Sequence, residues 1–302
     1  MKKRKNTNYR SITTAVIVVI AVIAAILVAN SSFFNNDASG KSNDIFYQQT
    51  DTMRVSFIDV GQGNCTFITC GNKAILVDSG EVGAAQTVIN YIKNQGVEKI
   101  DCVVVTHPHS DHMGAMTKIL YEFKIGDFIM PEIPNNIIPT NKTYEKFLTA
   151  VSDNAENVIA AVSGSTYFYG EMKIEFFAPL HDYDNLNDMS AVSRISYGKT
   201  SVMFTGDAST DVENDLLNKN IDYSATILNI GHHGSKTSSS EEWLEAVDPS
   251  FAVICCGKNN DYGHPNNTVI KRLEDFGIEY FRTDLLGTIV FESDSVNFKK
   301  CD

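Results

Sequence analysis

The run Val103-Val104-Val105-Thr106 leads straight into His107-Pro108-His109-Ser110-Asp111-His112. A β-branched apolar run reads as a buried strand, so the hexapeptide is a turn at a strand end. It aims three imidazoles and a carboxylate at one point above a sheet edge. These are ligand types that divalent zinc, manganese and iron accept. A histidine-rich surface loop would need neither the strand nor this order of residues. Any fold for this chain must bring further ligands to that strand end.

The turn has donors for two ions. His107 and His109 lie two apart and can converge on one, while Asp111 and His112 are displaced along the turn and can serve a second. Paired ions of this kind sit ~3.5–4 Å apart and clamp the attacking and leaving oxygens of a displacement. Two other strand ends carry suitable residues. Val202-Met203-Phe204-Thr205-Gly206-Asp207 ends in a carboxylate, and Ile227-Leu228-Asn229-Ile230-Gly231-His232-His233-Gly234-Ser235 ends in a histidine pair. Thr-Gly-Asp alone is an ordinary turn; the three segments in this order are a specific signal.

The rest of the chain reads as mixed α/β. Strands are expected over Met53–Val60, Cys65–Thr69, Ala74–Asp78 and Ile100–Thr106, with helical spacing over Gly83–Asn94, His112–Tyr121 and Asn141–Asp153. A hairpin turns at Gly170-Glu171. The second half repeats the style, with strands over Ala191–Ser196, Ser201–Thr205, Ser224–Ile230 and Phe251–Cys255, and helices over Thr210–Asn218, Ser240–Val247 and Asn266–Phe276. Two similar halves suggest two packed sheets flanked by helices.

The N-terminus is of another kind. Lys2, Lys3, Arg4, Lys5 and Arg10 precede Ile12–Ala29, an uncharged apolar stretch long enough to span a bilayer and long for a cleaved signal. An uncleaved signal anchor over residues 1–29 is the favoured expectation, with a cleaved signal and a secreted product as the alternative. The basic flank stays cytoplasmic under the positive-inside rule, which places the remainder outside. Residues 30–51 read as a polar linker and 52–302 as the catalytic domain. The chain carries −12, and setting aside the five basic residues of the first 29 leaves −17 on the rest. Such a body lacks the broad basic surface of a protein that grips nucleic acid nonspecifically. The six cysteines have no Cys-x-x-Cys spacing; buried thiols are expected, with Cys65–Cys70 pairing as an alternative.

Five motifs carry a resemblance: Asp59-Val60-Gly61-Gln62-Gly63, Leu76-Val77-Asp78-Ser79-Gly80, Thr205-Gly206-Asp207, His232-His233-Gly234-Ser235 and Tyr262-Gly263-His264-Pro265. With the hexapeptide, they resemble the metallo-β-lactamase superfamily from about Met53 to Val296, and within it the hydrolase domains of ComEC-type competence proteins. The resemblance implies an αββα sandwich with two divalent ions, zinc or manganese, at one edge. It gives His107 and His109 to one ion, Asp111, His112 and His232 to the other, and a bridging role to Asp207. Asp78 would buttress the turn, and His233 would lie behind the ligands or against substrate, with exchange of His232 and His233 as the alternative. One histidine usual in the superfamily, before the bridging Asp, is missing; Asn187 stands nearest its place. Oxygen-rich ligation of this kind suits manganese.

The expected reaction is hydrolysis by a water whose pKa falls towards ~7 on the metals. Asp111 or Asp207 would orient it, with His233 and His264 donating protons or hydrogen bonds and Ser235 and Tyr262 contacting substrate. The expected substrate is a phosphodiester, single-stranded DNA by resemblance. Cell-wall or small-molecule phosphodiesters, such as phosphorylcholine esters, are the alternative, and a non-catalytic metal-binding protein is the third reading.

Overall fold

The computed structural model describes residues 52–301. The basic flank, the apolar stretch 12–29 and the whole of the expected linker 30–51 lie outside those residues. Among the described residues no helix is long and apolar enough to cross a membrane.

Fifteen strands are described: β1 (Met53–Phe57), β2 (Thr66–Cys70), β3 (Lys73–Val77), β4 (Lys99–Val104), β5 (Lys124–Met130), β6 (Ala155–Ala160), β7 (Thr166–Tyr169), β8 (Met172–Phe176), β9 (Ser193–Tyr197), β10 (Thr200–Phe204), β11 (Ile227–Asn229), β12 (Phe251–Ile254), β13 (Glu279–Arg282), β14 (Ile289–Ser293) and β15 (Phe298–Lys300). They form an eight-stranded sheet in the order β15-β14-β1-β2-β3-β4-β5-β6 and a seven-stranded sheet in the order β13-β12-β11-β10-β9-β8-β7. The chain's last strands return to the first sheet, where β14 pairs antiparallel with β1, Val55 opposite Phe291.

Side-chain alternation explains the layers. On β3 and β4, Ile75, Val77, Cys102 and Val104 face the second sheet, meeting Ile174, Ile195, Val202 and Phe204 in one core. Their neighbours Leu76 and Val103 point the other way, onto Val88, Ile92, Ile119 and Phe147 of three helices. On the second sheet Met203, Leu228 and Ala252 likewise turn outward, onto Val212, Trp243, Leu244 and Leu273. Strand segments covered on both faces favour apolar residues, which is why the C-terminal halves of β4 and β10, Cys102–Val104 and Val202–Phe204, read as continuous apolar runs. The result is the expected αββα sandwich.

Two strands escape sequence reading. β5 contains Gly126-Asp127, and β6 contains Ala155, Glu156 and Asn157, residues that disfavour strands. Gly126 is needed because a Cβ there would lie 2.4 Å from the Asp101 carbonyl oxygen on β4. The helix expected over His112–Tyr121 is broken into Ser110–Met113 and Met116–Glu122. At the break, Gly114 lets the backbone at Val82 approach to 2.6 Å from where a Cβ would sit.

β3, β4, β5 and β6 run parallel, as do β10, β11, β12 and β13. Their C-terminal ends gather at one edge of the sandwich, and Asp78, His107, Asp207 and His233 all follow such ends. Sites of α/β proteins form at this kind of edge.

Candidate metal centre

The hexapeptide is fixed from behind by Asp78. This residue, just past β3, takes a left-handed backbone with φ 57°. Its carboxylate accepts hydrogen bonds from the Thr106 amide and hydroxyl, both at 2.8 Å, and from His112 Nδ1 at 2.8 Å. With Nδ1 so engaged, His112 presents Nε2 to the site, 3.1 Å from Asp207 Oδ1. His107 Nε2 and His109 Nδ1 face each other at 3.0 Å, and His107 Nε2 lies 3.7 Å from Asp207 Oδ2. Ser190 Oγ sits 3.3 Å from the far nitrogen of His107 and accepts the Asp207 amide at 3.0 Å. Ser190 thus ties the two half-sites together, and no motif in the sequence announces it.

The histidine pair resolves by backbone shape. His232 and His233 both adopt left-handed conformations, with φ 50° and 55°. Two such residues in succession are costly for side-chain-bearing residues. The turn sends His233 inward, where it is buried, and leaves His232 at the rim. His233 Nδ1 donates to the Cys255 carbonyl at 2.9 Å, and Nε2 lies 3.1 Å from Asp111 Oδ2 and 3.7 Å from Asp207 Oδ1. His232 Nε2 is 3.5 Å from Asp207 Oδ2. The sequence reading favoured His232 as the ligand and left exchange with His233 open; it is His233 whose ring nitrogen joins the donor atoms of Asp111, His112 and Asp207.

Two clusters emerge. Asp111, His112, Asp207 and His233 offer donor atoms within 4.8 Å of one another, and so do His107, His109 and Asp207. Asp207 belongs to both. The donors also fit a cation chemically: His112 Nε2 and Asp207 Oδ1 are buried and without a hydrogen-bond partner despite their proximity. A buried polar pair left unsatisfied is costly, and a cation between the clusters relieves it.

The electrostatics agree. Burial disfavours the charged form of Asp207, yet the nearby His112 and His233 outweigh it and hold the carboxyl well below its usual range. Burial also opposes protonation of His112, but Asp207 and Asp78 override it and raise its pKa well above the ordinary value. Burial and the neighbouring His112 push His107 well down.

Around the mouth, Tyr262 stacks on His264 with centroids 5.8 Å apart and planes at 25°, and His264 in turn lies over His233 at 6.3 Å and 27°. Tyr262 is 71% exposed, whereas the buried His264 Nδ1 has no partner. Asn260 braces this loop, its Oδ1 accepting from the Tyr262 and His264 amides and its Nδ2 donating to the Gly257 and His264 carbonyls. The Ser235 hydroxyl pairs with that of Thr237 at 2.9 Å, and the Thr237 hydroxyl lies 3.4 Å from His232 Nδ1. The Asn187 backbone carbonyl accepts the amide of Ser190. A cleft of about 540 Å³, lined by Asp59, Gln62, Gly257, Lys258 and Asn260 among others, lies beside the loop. None of the six cysteines is in a disulfide, so Cys65 and Cys70 do not pair, and all but Cys301 are buried.

Residues 58–258 match the family model of the metallo-β-lactamase superfamily. The chain is 27% identical over 256 residues to ComE operon protein 3 of Bacillus subtilis, covering 78% of this chain and 32% of that protein. It therefore spans about a third of that relative's length. It is 25% identical over 125 residues to exodeoxyribonuclease WalJ of Streptococcus pneumoniae, covering 40% of this chain and 42% of WalJ. Among solved structures, the metallo-β-lactamase fold protein YhfI of Bacillus subtilis superposes with a TM-score of 0.54 at 15% identity, over 80% of this chain and all of YhfI. Fold, edge location and family match agree, and the chain belongs to the metallo-β-lactamase superfamily of metal-dependent hydrolases.

Proposed function

We propose that this chain hydrolyses phosphodiesters, with a nucleic acid strand as its substrate. The observation that carries the reading is the single carboxylate of Asp207 shared by two donor clusters. His107, His109 and Asp207 would hold one ion, and Asp111, His112, His233 and Asp207 the other. Bound there, two divalent ions supply Lewis acidity and an acidified water at neutral pH.

The chain's own groups do the rest. Asp111 and Asp207, both held ionised, orient the attacking water by accepting its hydrogen bonds. His264, stacked between His233 and Tyr262 at the mouth, would bind a phosphate oxygen or hold a proton for the leaving oxygen. Tyr262 offers an exposed flat face beside it, and base–aromatic stacking contributes about 1–3 kcal/mol per base. The name of WalJ, an exodeoxyribonuclease, supports a DNA substrate, and that of a second relative, competence protein ComA of Neisseria gonorrhoeae, supports a place in DNA handling or uptake. The −17 balance outside the first 29 residues implies that contact is local, at the metals and the tyrosine, rather than along a basic groove. Anchoring through residues 12–29, with the hydrolase outside the cell, belongs to the same proposal.

A second reading has its own support: the acidic body and an outward-facing domain also suit cell-wall phosphodiesters such as choline phosphates. The full chain supplied with manganese or zinc should turn over bis-p-nitrophenyl phosphate and shorten single-stranded DNA. Asp207→Ala should lower the rate by on the order of a hundredfold or more. Turnover of choline phosphodiesters but not of DNA would transfer the assignment to the wall. Metal binding without any turnover would make this a metal-binding protein.

A further inference from the structure

The two donor clusters are unequal. The one built on His107 and His109 offers three atoms, and the one built on His112 offers four. Beside the poorer cluster stands Asn187, whose backbone carbonyl accepts the amide of Ser190, the residue whose hydroxyl touches both His107 and the Asp207 amide. The Asn187 Oδ1 is buried and has no hydrogen-bond partner. An orphaned amide oxygen against a ligand set is a cost unless something electropositive meets it.

The loop that carries Asn187 is built to hold it there. Asn185 Nδ2 donates to Asp188 Oδ2 at 2.6 Å, and Asp188 Oδ1 accepts the Ser209 amide at 3.0 Å. The Ser190 amide donates to the Asn187 carbonyl at 3.0 Å, while the Ser190 hydroxyl touches both His107 and the Asp207 amide. The Ala191 amide donates to the Thr106 carbonyl at 2.9 Å, one residue before His107. The residues that follow the asparagine are thus pinned to the segments that carry His107 and Asp207, and Asn185 is tied back to them through Asp188.

We infer that Asn187 Oδ1 is the fourth donor of the His107–His109–Asp207 site. The inference rests on the metal-hydrolase reading above and adds a ligand to it. Two nitrogens and two oxygens, one of them a neutral amide, make a harder donor set than one with an added imidazole. This site therefore holds manganese better, relative to zinc, than a site completed by histidine would.

The test is a titration of the metal-free full chain with manganese and with zinc. Ion stoichiometry is read by elemental analysis and the manganese pair by its electron paramagnetic resonance spectrum. The wild type should bind two ions and give a spin-coupled manganese signal. Asn187→Ala should keep one ion tightly, weaken the other by on the order of tenfold or more, and give the six-line signal of isolated manganese. Asn187→His should restore both ions and shift the weakened site towards zinc. An Asn187→Ala protein that binds both ions with wild-type affinity overturns the inference. If Asn187→Ala fails to fold, Asn187→His decides: zinc preference unchanged from wild type overturns it equally. A wild type that holds one ion also refutes the fourth donor, whereas one that holds none refutes the hydrolase reading itself.

Discussion

Asp78 spends left-handed backbone strain, roughly 1–2 kcal/mol for an L-residue, to place one carboxylate where it accepts three hydrogen bonds. Two of those come from Thr106 and fix the strand end; the third fixes the His112 ring and hence which nitrogen faces the ions. Asp78→Asn keeps the shape but weakens the hold on His112. The expected result is a fold intact by circular dichroism and metal affinity reduced about 10–100-fold in chelator competition; unchanged affinity would remove Asp78 from the site's support. The same scale shows what sequence can and cannot tell. His107, His109, Asp111 and His112 were legible because they sit in one contiguous turn after an apolar strand. The choice between His232 and His233 was not, since it depends on two successive left-handed residues that rotate the side chains past one another. Only the flanking Gly231 and Gly234 hint at an unusual turn, and neither says which ring goes inward.

At the level of elements, the strand ends decide the site and the glycines decide how closely they meet. Gly63 has φ 136°, and a Cβ there would lie 2.3 Å from the Asp111 carbonyl oxygen, which accepts the Asn64 amide at 3.1 Å. Gly63→Ala must therefore push the β1–β2 turn off the hexapeptide. We expect a loss of about 1–3 kcal/mol in denaturant unfolding together with a sharp fall in hydrolysis, since Asp111 shifts with the turn; a variant with wild-type stability and rate would show the approach to be dispensable. Strands buried on both faces were easy to read from their unbroken apolar runs. β5 and β6 were not, because Gly126 serves the close approach to β4 and the polar residues of β6 sit at the sheet's edge, where local preference misleads.

For the whole molecule, the decisive fact is that the centre belongs to neither sheet alone. The segment after β4 supplies His107 to His112, while the segments after β10 and β11 supply Asp207 and His233. Bound ions would therefore cross-link the two layers. Ions at a hundred times their dissociation constant would add about 2.7 kcal/mol to unfolding free energy, so chelation should lower the melting temperature by several degrees and readdition should restore it. A melting temperature indifferent to chelator would mean that the donors do not bind ions across the layers. The layered fold itself was legible from paired blocks of strands and helices, but the Ser190 tie between the half-sites needed coordinates to appear.

His233 meets Asp111 across 122 residues of chain. During synthesis the hexapeptide emerges first and must wait, incomplete, until the second sheet has been made and docked. A nascent or half-unfolded chain thus has no assembled centre with which to cut anything. Recovery of hydrolysis on refolding becomes a clock for the docking of the two sheets, and it should lag behind the return of secondary structure.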